Sequence, residues 1–61
     1  MNKASAILAR ERDQLAHCIA QNSAAIVRWP QFSARLAALN IDMTRVLVAI
    51  DEELRDLEQA A

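Results

Sequence analysis

The sequence predicts an all-α protein: an antiparallel two-helix hairpin, paired into a homodimeric four-helix bundle. Three observations predict it. The 61-residue chain has no glycine and a single proline, Pro30, which follows Trp29. Proline costs about 3 kcal/mol inside a helix but is at home in a first turn, so Trp29-Pro30 marks one break near the midpoint. Apolar residues recur at helical spacing on both sides of it. The two halves also carry charge of opposite sign.

The first helix is expected over residues 3–28, with Asn2 as its N-cap. Its alternating four- and three-residue row reads Ser5, Leu8, Arg12, Leu15, Ile19, Asn22, Ile26, Trp29. Ala4, Cys18 and Ala25 widen that stripe. The turn is expected at residues 29–30. The second helix is expected over residues 31–59, with the row Phe32, Leu36, Leu39, Met43, Val46, Ile50, Glu53, Leu57, Ala60. Only Glu53 interrupts it, and Leu47 and Leu54 broaden the same face. The hairpin seam is therefore assigned to Leu8, Leu15, Ile19 and Ile26 against Leu36, Leu39, Met43, Val46, Ile50 and Leu57. Asn40-Ile41-Asp42 offers a competing break, which would give three helices and a helix-turn-helix. Leu39, Met43 and Val46 keep their spacing through it, which argues for one continuous helix.

Charge decides how the helices meet. Residues 1–28 hold four basic and two acidic side chains, and residues 29–61 hold three basic and six acidic ones. Each set sits at the wrong end for its own helix macrodipole, which favours acids early and bases late. Folding back at Pro30 lays Lys3, Arg10 and Arg12 beside Asp51, Glu52, Glu53, Asp56 and Glu58. Single exposed ion pairs are weak, but as a set they favour the hairpin over a kinked rod. The implied register places Leu8 by Leu54, Leu15 by Leu47, Ile19 by Met43 and Ile26 by Leu36. It also predicts that Arg12 pairs with Glu53.

Size and composition bound the function. A chain this short buries only about 60% of its unfolded surface and is marginal alone. Of its apolar residues, 13 are alanine. Small scaffolds need a staple: disulfides, a metal or association. One cysteine, Cys18, makes no internal disulfide, and one histidine, His17, makes no Cys/His metal cage. That leaves association, with itself as a homodimer and with one larger protein partner. A net charge of −1 argues against a nucleic-acid binder with a broad basic face. No run approaches the roughly 20 apolar residues that span a bilayer, so no membrane role is expected. The lone thiol and the absence of a signal-like start fit a cytoplasmic location.

Catalysis finds no support, and neither a cofactor nor a metal is expected. Without glycine there is no phosphate-cradling loop or nucleophile elbow. His17 and Cys18 are neighbours, which point about 100° apart on a helix and do not form a dyad. The acidic cluster Asp51, Glu52, Glu53, Asp56 and Glu58 lacks the Glu-x-x-His of di-metal bundles and reads as a solvated face. Asn22 is a seam polar residue that sets register.

A second apolar stripe carries more information. It runs Ala34, Ala38, Ile41, Arg45, Val48 on the second helix and Ala20, Ala24, Val27 on the first. It lies in the turn-side half, near Trp29 and Phe32. Exposed apolar patches mark interfaces. The expected function is a small non-enzymatic interaction module that binds and inhibits, caps or chaperones a larger protein. Its partner-binding residues are Trp29, Phe32, Ile41, Arg45 and Val48. Short hairpins of this kind serve as bacterial or phage-encoded inhibitors, anti-activators and adaptors. That is an analogy of size and plan, as is the likeness to ROP-type bundles. Two other readings stand beside it: a dimeric helical regulator binding RNA or DNA, and a purely self-assembling structural element. Binding to heparin or RNA at low salt discriminates the first of these, and pull-downs that find no further partner point to the second.

Overall fold

A computed structural model describes residues 3–60 of the chain. Two long helices, α1 (Lys3–Arg28) and α2 (Ser33–Ala60), are joined by a short 3-10 turn, Pro30–Phe32. The hairpin is a rod with extents of 47 × 14 × 11 Å. Its radius of gyration is 14.1 Å, against about 10.5 Å for a compact chain of this length. α2 runs unbroken through Asn40, Ile41 and Asp42, so the three-helix alternative does not form. The proposed N-cap Asn2 lies outside the described residues.

Trp29-Pro30 makes the reversal as the sequence demands. Proline pushes the residue before it out of the α region, and Trp29 has φ −127° and ψ 78°. The Trp29 N–H still donates to the Ala25 carbonyl at 2.8 Å, closing the last turn of α1. Phe32 N–H then donates to the Trp29 carbonyl at 3.0 Å. Ser33 N–H donates to the Pro30 carbonyl, and α2 begins there rather than at residue 31. Pro30 opens the 3-10 turn, where its missing N–H leaves no bond unmade. No described residue needs a positive φ, which explains how the turn forms without glycine.

The seam of α1 follows the expected row. Ser5 is buried, and Leu8, Arg12, Leu15, Ile19, Asn22 and Ile26 are half-buried. The seam of α2 differs from expectation in every second member. Ser33, Leu36, Asn40, Met43, Leu47, Ile50 and Leu57 are half-buried and Leu54 is buried. Leu39 and Val46, assigned to the seam from the sequence, are instead 47% and 50% exposed. The reason lies in a choice between two rows flanking Leu36, Met43, Ile50 and Leu57. Packing the Leu39 and Val46 side would also press Glu53 into the seam. Packing the other side buries Leu47 and Leu54 at the cost of one amide, Asn40, and leaves Glu53 exposed. Burying an amide costs less than burying a carboxylate.

This rotation moves the ion pair as well. Arg12 meets Asp51, with Nη1 at 3.5 Å from Oδ1, and not Glu53. A shorter contact holds the same guanidinium to Asp13 at 3.2 Å. The Asp13 hydrogen bond and charge are the main causes that push the Arg12 pKa further up, with Asp51 adding to them. Arginine already stays protonated at every working pH, so this shift gives the fold no pH dependence there.

Candidate functional site: the uncovered apolar flanks

The hairpin buries very little. Leu54, at 8% exposure, is the one buried hydrophobic among the described residues. The chain exposes 4751 Å². A compact protein of this mass exposes about 4,000 Å², and its unfolded chain about 9,900 Å², so this hairpin hides roughly half of its surface. The bulky apolar residues left in water are Ile7, Val27, Trp29, Phe32, Leu39, Ile41, Val46 and Val48.

Helical rotation sorts those on α2 into two sets. Leu39 and Val46 lie one heptad apart, and Phe32, the last residue of the turn, continues their row a heptad earlier. Ile41 and Val48 form the second set, about 160° round the helix from the first. The sequence grouped Trp29, Phe32, Ile41, Arg45 and Val48 as one partner-binding surface. The structure leaves Trp29, Phe32, Ile41 and Val48 44%, 53%, 55% and 48% exposed, but divides them. Phe32 belongs to the Leu39 flank, and Ile41 and Val48 to the opposite one. Trp29 caps the turn end, where the Arg28 guanidinium stacks on its ring at 4.9 Å.

In an antiparallel pair, residues that flank the seam on one side of each helix face the same way. On the Leu39 flank, α1 contributes Ala25, half-buried, and Cys18, exposed. Beyond them, toward the open end, come Glu11 and Glu53. On the Ile41 flank, α1 contributes Ala20 and Val27, the latter 81% exposed. Arg45 stands between Ile41 and Val48, and its side chain is 79% exposed. It reaches Asp42 at 3.9 Å, a loose i,i+3 contact that leaves most of its donors facing water.

Asn40 is the seam residue that sequence reasoning missed. Its Nδ2 donates to the Ile19 carbonyl at 3.4 Å and to Ser23 Oγ at 3.3 Å. Ser23 Oγ itself donates to the same carbonyl at 2.9 Å. Asn40 Oδ1 is buried with no partner. Arg12–Asp51, Ile19–Asn40 and Ser23–Asn40 join residues whose numbers add to 63, 59 and 63. They bracket the expected register, in which the numbers of facing residues add to about 61 or 62. The interruption at Glu53 was the available signal for Asn40: moving the row one residue on removes a carboxylate and admits this amide.

His17 and Cys18 line a shallow, open depression along the outer face of α1, with Ala6, Ala9, Arg10, Asp13 and Gln14. Cys18 is an exposed thiol. Among the described residues, no three His, Cys, Asp or Glu side chains gather to hold a metal ion. No helix there is long and apolar enough to cross a membrane. No protein family, curated protein or solved structure matches the chain.

Proposed function

We propose that this chain is a non-enzymatic protein–protein interaction module, a self-associating helical hairpin that binds a larger protein and inhibits, caps or chaperones it by occlusion. One observation carries the reading: eight large apolar side chains stay between 44% and 81% exposed. Scattered exposed hydrophobics are ordinary, but rows at heptad spacing on a stiff rod are the pattern of a helix face awaiting another helix. Two separate flanks suit two occupants. In this reading one closes a homodimeric four-helix bundle and the other holds the larger partner.

The target surface is assigned to Ile41, Arg45 and Val48. Apolar burial of Ile41 and Val48 supplies affinity, and Arg45 pairs with a carboxylate on the partner and fixes orientation. The module works in a reducing cytoplasm, where Cys18 remains a thiol. Replacing Ile41 and Val48 together by Asp is expected to abolish capture of the partner that wild type retrieves from its host. Far-ultraviolet helicity should be unchanged, because both residues face water. Undiminished capture by the folded double variant would remove this face from the account.

A further inference from the structure

We propose that a second copy of this chain packs antiparallel across the Leu39 flank, with Leu39 facing its own counterpart at a two-fold axis. The proposal rests on the self-association reading above and deepens it by naming the face and register.

The row itself is self-complementary. Run backwards through Leu39, Phe32 of one copy meets Val46 of the other, and Val46 meets Phe32. All three are about half exposed in the single hairpin. The edge bordering this row supplies the charge match. Arg35 and Asp42 each precede a row member by four residues, and so lie beside Leu39 and Val46 respectively. In the Leu39-centred register, Arg35 of one copy falls opposite Asp42 of the other, and the two-fold axis makes the pair twice. Within the turn-side half, α1 presents Ala25 and Cys18 on this flank, small side chains that let the facing helices approach closely, while Ile7 and Glu11 lie beyond the overlap.

The long-range charge pattern selects the direction. The turn-side half, residues 17–46, holds Arg28, Arg35 and Arg45 against Asp42. The open half holds four basic and seven acidic side chains. Antiparallel packing centred on Leu39 overlaps only the turn-side halves and carries the two acidic open halves to opposite ends of the dimer. Parallel packing would instead crowd Glu11 and Glu53 of both copies together. With Leu39 at the axis these two carboxylates project past the turn of the second copy and stay in water. Ile41, Arg45 and Val48 remain outside the interface, so the dimer carries two target surfaces.

The test uses single cysteines in the full chain. Cys18→Ala with Leu39→Cys is expected to cross-link to itself under mild oxidation, because the new thiols meet at the axis. Cys18→Ala with Val48→Cys is expected to cross-link at least about ten-fold more slowly, its thiols lying on the opposite flank. Equal rates, or faster linking through position 48, would overturn the assignment. Arg35→Asp and Asp42→Arg are each expected to weaken dimerisation about ten-fold, and the double exchange to restore it to within about three-fold. A double variant as weak as its parents overturns the register. Sedimentation of the wild-type chain separates the two levels. A monomer at all concentrations fells the self-association reading itself, whereas a dimer that fails to link through position 39 fells only this face.

Discussion

Asn40 is the residue at which this fold trades stability for definition. Its amide sits among Ile19, Ser23 and the seam, with two long hydrogen bonds from Nδ2 and a buried Oδ1 left without a donor. An unsatisfied buried acceptor costs about 1–3 kcal/mol, and a single polar residue in an apolar row fixes which residues face each other. Asn40→Leu therefore removes the cost and keeps the volume. It is expected to raise the melting temperature by about 4–8 °C, the change that 1 kcal/mol makes in a domain of this size. A lower melting temperature in that variant would mean that the amide stabilises the seam and that its orphaned oxygen finds a partner in solution.

At the scale of elements, the turn and the seam do different work. Pro30 breaks the helix, while the seam and the opposed charges bring α2 back along α1. Pro30→Ala loses the preset φ at the first turn position, worth about 0.4–1 kcal/mol through the unfolded chain. The expected outcome is a melting temperature lower by roughly 2–8 °C with far-ultraviolet helicity retained. An unchanged melting curve would show that proline contributes nothing to the turn. Both helices were legible in the sequence because Trp29-Pro30 is the one strong punctuation in a glycine-free chain. The α1 seam was legible too, since only one row there is apolar over its length. The α2 seam was half legible. Leu36, Met43, Ile50 and Leu57 belong to it in either rotation, but Leu39 and Val46 compete with Leu47 and Leu54 on the two sides of that row. Periodicity cannot choose between them. The cost of burying Glu53 against that of burying Asn40 does, and it also decides that Arg12 pairs with Asp51. The same rotation splits Phe32 from Ile41 and Val48, which the sequence had read as one surface.

For the whole molecule, the balance between surface and core sets its behaviour. A chain of 61 residues with one buried hydrophobic side chain among those described stands near the edge of independent stability. Its dimensions, 47 × 14 × 11 Å, leave two long flanks uncovered, each with bulky apolar side chains at helical spacing. In the dimer proposed above a second copy covers one flank, which would make the folded population rise with concentration. The most direct measurement is sedimentation equilibrium of the wild-type chain across a concentration series, joined to melting curves at the same concentrations. The account predicts a mass of twice 6.8 kDa and a melting temperature that climbs with concentration. A 6.8 kDa species throughout, melting cooperatively at one fixed temperature, would contradict it.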